Sequence, residues 1–117
     1  MGGLISYLAG VSAEEAVSRH YGRLGRTIAA TRWRGEGGEI DVIARDGAEV
    51  IFIEVKKAAT HAQAALRLSE RQMARIASAA SEFLGGEPLG QDTPARFDVA
   101  LVDDRGMIDI IENAFAA

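Results

Sequence analysis

Val50-Ile51-Phe52-Ile53-Glu54-Val55-Lys56 decides the fold. Its first four residues are apolar whichever way they point, the pattern of a central strand covered on its faces rather than one facing solvent. A period of two then puts Glu54 and Lys56 on one face and Ile53 and Val55 on the other. A carboxylate and an ammonium thus share a face at the end of a strand too apolar to be an exposed edge. Upstream, Asp46-Gly47 is the dipeptide of a tight hairpin turn, so Glu39 to Arg45 reads as the antiparallel partner of Glu49 to Lys57.

Further upstream, Gly35-Glu36-Gly37-Gly38 separates that hairpin from a strand over Ile28 to Arg34. Before it, Ser12 and Glu15 form a capping-box pair, with Ala13, Val17, Tyr21 and Leu24 on one apolar face and Gly25 as the stop. The spacing predicts a helix from Ser12, with residues 1–10 as a loosely ordered segment. Downstream, Thr60 to Leu68 reads as a loop or short helix. Ser69 with Gln72 then caps a helix whose Met73, Ile76, Ala77, Ala80, Phe83 and Leu84 keep helical spacing up to Gly85-Gly86. A loop over Glu87 to Pro94 leads to a strand at Phe97 to Val102. Asp103-Asp104-Arg105-Gly106 turns it into a last strand around Met107 to Ile111. The order is α-β-β-β-α-β-β, in the α/β or α+β class with a mixed sheet. The helical connection is long enough to cross over, which makes the third and fourth strands parallel.

A chain of 117 residues, 48% hydrophobic and 26% charged, predicts one domain over 1–117 with a single core. With no cysteine, disulfides, thiolate metal sites and cysteine nucleophiles are excluded, and two histidines leave little for a zinc-type cluster. Hard oxygen ligands remain. The net charge of -4 means that any contact with nucleic acid must rely on local basic patches. The N-terminal apolar run is too short and interrupted for a signal peptide or membrane span, so the expected location is cytoplasmic, without membrane contact.

Asp41 lies in the strand before the turn, and the hairpin brings it beside Glu54. Counted outward from Asp46-Gly47, Asp41 is five residues before and Glu54 seven after, so direct opposition predicts a longer loop or a bulge. Two neighbouring carboxylates suit Mg²⁺ or Mn²⁺, which take oxygen ligands, keep several waters and accept phosphate oxygens. An adjacent Lys56 ammonium would orient water or stabilise developing negative charge. The alternative for the same residues is a salt bridge of the charged pair with Asp41 or Glu39, with no chemistry attached. Glu14, beside the first helix's apolar stripe, either reaches over the sheet edge toward these groups or is solvated.

The run Gly38-Glu39-Ile40-Asp41-Val42-Ile43-Ala44-Arg45, followed by Val50 to Lys56, resembles the bacterial YraN-like family of predicted endonucleases. The same order of acid, then acid-x-lysine, occurs in the PD-(D/E)XK nuclease superfamily, which includes archaeal Holliday-junction resolvases and many restriction enzymes. The resemblance extends to Gly10 to Glu14, Arg32-Trp33-Arg34, the helix from Ser69, Arg96 to Val99 and Glu112 to Phe115. It implies a restriction-endonuclease-like α/β fold, a mixed β-sheet flanked by helices. By position it makes Glu14, Asp41, Glu54 and Lys56 catalytic, the three acids ligands of Mg²⁺ or Mn²⁺, and DNA the substrate, structured or branched DNA included. Resolvase-like relatives make a homodimer a reasonable expectation. Two departures are Ile40, where the superfamily has proline, and Ala58, where family members often carry a basic residue.

Arg71 and Arg75, four apart on the second helix, suit phosphate contacts or a solvated face. Arg32 and Arg34 share a strand face and, with Lys57 and His61, form the candidate local basic patch. Trp33 would stack a base or join the core. Asp98 reads as a salt-bridge acid. The two functions left in competition are a metal-dependent nuclease and a nucleic-acid-binding or assembly module that keeps the fold without turnover.

Overall fold

The computed structural model describes residues 2–115, with side chains from Ala13 onward. Helix α1 (Gly2–Arg23) precedes β1 (Thr27–Arg34), β2 (Glu39–Asp46) and β3 (Glu49–Lys57). A short α2 (His61–Ala65) and the long α3 (Glu70–Leu84) then lead to β4 (Ala95–Val102) and β5 (Ile108–Ile111). The five strands form one sheet in the order β1-β2-β3-β4-β5. All neighbours are antiparallel except β3 and β4, which run parallel as the helical connection requires.

Both faces of the sheet are covered, which is why β3 is apolar on both. Ala13, Val17 and Tyr21 of α1 pack on Val42, Ala44, Ile51, Ile53, Ala100 and Val102. Ile76, Ala79, Ala80 and Leu84 of α3 pack on the other face against Ile43, Val50, Phe52 and Phe97. Phe52 stacks on Phe97 at 5.4 Å and Phe97 on Phe115 at 4.9 Å. Trp33 joins this core, edge-to-face with Phe83 at 5.5 Å. Of its two expected roles, the structure places it in the core.

Helix α1 stops where Gly25 predicts. With φ +85° at Gly25, Arg26 N–H reaches the Tyr21 carbonyl at 3.1 Å and Gly25 N–H the Gly22 carbonyl at 3.0 Å, a Schellman motif. Its start differs from the expectation. The helix runs through Ser12, so the local Ser12/Glu15 capping signal yields to a longer helix. Residues 2–10, expected as a loosely ordered segment, belong to the backbone of α1. At α3 the cap is as predicted, Gln72 N–H donating to Ser69 Oγ at 3.1 Å.

The β2–β3 turn is Gly47-Ala48, one residue later than Asp46-Gly47, because Asp46 still pairs with Glu49. Gly47 has φ +58° at the first position of a two-residue loop, where a II′ hairpin carries glycine. That shift changes the register, and no bulge is needed between β2 and β3. The β1–β2 loop is pinned by Glu82 of α3, which accepts from Glu36 N–H and Gly37 N–H at 2.8 Å each. These bonds hold the Glu82 carboxyl below its ordinary pKa. A Cβ on Gly37 would collide with Ser78, so the glycines here serve close approach to α3 as well as the turn. No helix among the described residues is long and apolar enough to cross a membrane.

Candidate active site

The two strands that carry the candidate acids separate where the acids begin. Pairing of β2 with β3 runs from Asp46↔Glu49 to Val42↔Ile53, and the next level would set Asp41 opposite Glu54. There the side chain takes over from the backbone, and Val55 N–H donates to Asp41 Oδ2 at 2.8 Å. Asp41 is thereby held at the point where the ladder ends.

The same level breaks the alternation of β1 and β2. Ile40 and Ile43, three apart, both belong to the α3-side core, as do Ala30 and Trp33 on the facing strand. Thr31 pairs with Val42 and Trp33 with Ile40, so Arg32 stands at the level of Asp41. Arg32 has φ +51° and lines a pocket on the α1 side with Glu14, Glu15, Ser18, Arg19 and Thr31. The backbone turn presents it toward α1 instead of α3.

Glu54 is buried, 6% exposed, beside Val55, whose N–H holds Asp41. Lys56 Nζ lies 3.7 Å from Glu54 Oε1, with its side chain 14% exposed. Gln72 Nε2 donates to the same oxygen at 3.4 Å. Gln72 thus caps α3 with its backbone and reaches the site with its amide, a second role the cap had concealed. Burial first, then the neighbouring Asp41, push Glu54 up to about 9, while the Lys56 ammonium pulls in the other direction.

This raised pKa has a stability consequence. A carboxyl at about 9 when folded and near its ordinary 4.5 when unfolded favours the folded state most below 4.5, and stability drains away as pH rises toward 9. Glu54→Gln keeps the shape without that liability. In metal-free buffer the variant is expected to melt above the parent at about pH 8, with a smaller gap at about pH 5, as thermal unfolding at the two pH values will read.

Glu14 comes near on the α1 side. Its carboxyl is raised by partial burial first and by the charge of Asp41 second, with Arg32 opposing and Glu39 adding. Arg32 Nε stands 3.6 Å from Glu14 Oε2 and 3.9 Å from Glu39 Oε1. Glu39 also takes Arg34 at 2.9 Å. Glu39 is therefore the counter-ion of the β1 arginines, a part that its strand position alone does not announce. Among the described residues the ion pair of Lys56 is with Glu54, not with Asp41 or Glu39 as the salt-bridge alternative had it.

Arg71 and Arg75 are exposed on α3, the helix that supplies Gln72. Lys57 faces the other way, toward Ala13, Ala16 and Arg19 of α1. His61 is drawn off from the expected patch to the β4–β5 turn, with Nε2 2.9 Å from the Met107 carbonyl and 3.8 Å from Asp103. Asp98 is the salt-bridge acid expected, 1% exposed, with Arg96, Tyr21 and the Asn113 N–H around it.

No group of three or more His, Cys, Asp or Glu among the described residues is arranged to hold a metal ion. The donor set nonetheless fits Mg²⁺ or Mn²⁺, since such ions are commonly held by one or two carboxylates plus waters and substrate phosphate. Asp41 and Glu54 would be that pair, with Lys56 beside them.

Residues 13–102 match the family described as Uncharacterised protein family UPF0102. A UPF0102 protein of Cereibacter sphaeroides strain ATCC 17023 is 69% identical over 117 residues, covering 100% of both chains. One from Ruegeria pomeroyi is 55% identical over 113 residues, 97% of this chain and 92% of its own. Another, from Dinoroseobacter shibae, is 40% identical over 111 residues, 95% of this chain and 83% of its own. The match over most of the chain and these full-length identities agree with the YraN-like resemblance of the sequence, and the chain belongs to the UPF0102 family.

Proposed function

We propose that the protein is a divalent-metal-dependent nuclease of the PD-(D/E)XK type that hydrolyses phosphodiester bonds in DNA. The observation that carries this reading is the buried Glu54, with Lys56 3.7 Å away and the Asp41 carboxylate held at the adjoining Val55 N–H. Asp41 and Glu54 would hold Mg²⁺ or Mn²⁺, with Glu14 at the side. When bound, such an ion polarises the phosphodiester and makes water a better nucleophile. Asp41, fixed by Val55 N–H, and Glu54, fixed by Gln72, keep their carboxylates in place without reorganisation. The Lys56 ammonium orients the attacking water and stabilises the charge that builds on the phosphate oxygens. Water adds to phosphorus, the bond to one bridging oxygen breaks, and the leaving oxygen takes a proton.

A helix, an antiparallel hairpin and a parallel crossover, with the acids on the hairpin, also support the restriction-endonuclease-like fold. A homodimer belongs to the same reading. A non-catalytic nucleic-acid-binding or assembly module is the second one, and the pairing of Arg32 and Arg34 with acidic side chains, which leaves them less to offer a phosphate, favours its assembly form. The test is incubation of purified protein with single-stranded, duplex, flapped and four-way-junction DNA in Mg²⁺ or Mn²⁺. Metal-dependent cleavage of at least one is expected. Binding without cleavage supports the nucleic-acid-binding module, and neither binding nor cleavage overturns both nucleic-acid readings and leaves the assembly module.

A further inference from the structure

Positive charge on the α1 face of the sheet is left without a counter-ion. Among the described residues, Arg26, Arg34, Arg45, Lys56 and Arg96 stand in ion pairs with carboxylates, whereas Arg19, Lys57 and Arg105 stand in none. These three come from separate elements, α1, the last residue of β3 and the β4–β5 turn, and line one pocket of about 350 Å³. Strand periodicity brings Lys57 there. Val55 packs on the α1-side core, so Lys57, two residues on, keeps that face while Lys56 keeps the face of Glu54. Ala13 and Ala16, the α1 residues beside it, are short and leave the space open. Lys57 pairs with Val102 across the parallel ladder, so the pocket lies at the carboxyl ends of β3 and β4, where open α/β sheets bind ligands.

Two acids, Asp103 and Asp104, also line the pocket. Asp103 is spent on its own turn: Oδ1 accepts from Arg105 N–H at 3.0 Å and Met107 N–H at 2.9 Å, and Oδ2 lies 3.8 Å from His61 Nε2. Gly106, with φ +81°, closes the turn by donating its N–H to the Asp103 carbonyl at 3.1 Å. Arg105 is thus carried on a braced loop, and Asp104 is exposed to water. A partly buried lysine with no carboxylate on it, joined by two arginine forks, suits an anion with several oxygens. We propose that Arg19, Lys57 and Arg105 form a phosphate-binding pocket that grips the nucleic-acid backbone away from the bond to be cut. Lys56 and Lys57 are consecutive, so a backbone crossing the end of β3 meets the face of Glu54 first and this pocket next. The identity of the ligand as nucleic acid rests on the proposed function, while the affinity for phosphate is a property of the pocket alone.

The parent is compared with Arg19→Ala, Lys57→Gln, Lys57→Arg and Arg105→Ala in metal-free buffer, so that binding is read without cleavage. Arg67→Ala, which removes an exposed cation outside the pocket, is the charge-matched control. Inorganic phosphate is titrated into isotope-labelled protein and followed by amide NMR. Saturable shifts are expected at Arg19, Lys57, Ala58, Arg105 and Gly106 in the parent and the control, with at least about threefold weaker binding in Lys57→Gln. Affinity for short single- and double-stranded DNA is read by fluorescence anisotropy from about 50 to 200 mM salt. Arg19→Ala, Lys57→Gln and Arg105→Ala should each lower the slope of log affinity against log salt by about 0.7–0.9, on every sequence alike. Arg67→Ala and Lys57→Arg should keep the parent's slope. Thermal melts check folding, and the exposed Arg19 and Arg105 carry the test should Lys57→Gln melt early.

No saturable shift at the pocket in the parent overturns the proposal whatever DNA does. Shifts at the pocket, with slopes in the three variants no different from Arg67→Ala, overturn its nucleic-acid half. A parent that takes phosphate in the pocket and binds no DNA overturns that half too, and sinks the nucleic-acid readings of the function with it. DNA binding with the expected slopes, but no cleavage once Mg²⁺ or Mn²⁺ is added, sinks the nuclease reading alone and supports the pocket.

Discussion

Lys56→Ala is expected to slow DNA cleavage by about two to four orders of magnitude while the protein still folds and still takes up a divalent cation. The ammonium stands 3.7 Å from Glu54 Oε1 on the same strand face, mostly buried, so it acts at close range with little screening. Alanine leaves the two carboxylates in place and removes the group that, on the proposed reading, orients water and meets the developing charge. It also removes the positive charge that pulls the Glu54 pKa downward, so metal uptake near neutral pH should weaken somewhat and recover as pH rises. Glu54→Ala should lose both cleavage and metal uptake. Initial rates with calorimetry on the two variants check the distinction. Equal loss of metal binding in both would contradict the division of labour between carboxylate and ammonium.

Asp98→Ala should be the most damaging substitution to the fold, costing about 3–5 kcal/mol. Asp98 is almost wholly buried and accepts from Tyr21 Oη at 2.7 Å, Arg96 Nε at 3.0 Å, Arg96 Nη2 at 3.2 Å and Asn113 N–H at 3.0 Å. It therefore ties α1, β4 and the segment after β5 to one carboxylate. Burial and the bond to Asp98 push the Tyr21 hydroxyl well above its ordinary pKa, so it is a committed donor at any working pH. Alanine strands that hydroxyl and an arginine whose remaining acids, Glu49 at 3.3 Å and Glu112 at 3.8 Å, are more exposed. Against a total of about 5–15 kcal/mol for a domain, such a loss brings unfolding close to ordinary temperatures. Tyr21→Phe, which removes one donor and leaves the ion pair, should cost about 1–2 kcal/mol. Chemical denaturation curves decide between these values. Near-equal midpoints for Asp98→Ala and the parent would show that the network is not what ties these elements together.

Much of this was legible in the chain because periodicity and punctuation agreed. The strand at 49–57 has the bounds its apolar run predicts, and Ser69 and Gly25 mark helix ends that hydrogen bonds then verify. The parallel pairing of β3 and β4 followed from the length of the connection. Three features were not legible, each for a physical reason. Ser12 and Glu15 look like a helix start, but a capping pair inside a longer helix has the same sequence. Asp46-Gly47 names a turn to within one residue only, and one residue decides whether Asp41 meets Glu54 directly or through a bulge. The left-handed Arg32 carries no glycine to announce it, and its backbone is set by tertiary context, with Trp33 and Ile40 turned into the α3 core. The same holds for Asp41 and Val55, whose side chain-to-backbone bond exists only because two strands separate.

The carboxylate pair is the centre of the account, and metal binding tests it without reference to any substrate. Mn²⁺ titrated into the parent, Asp41→Asn and Glu54→Gln at about pH 8 should give saturable binding with proton release in the parent, and at least about tenfold weaker binding in both variants. Binding of equal strength in all three, or none in the parent, would contradict the assignment of Asp41 and Glu54 as a divalent-cation site.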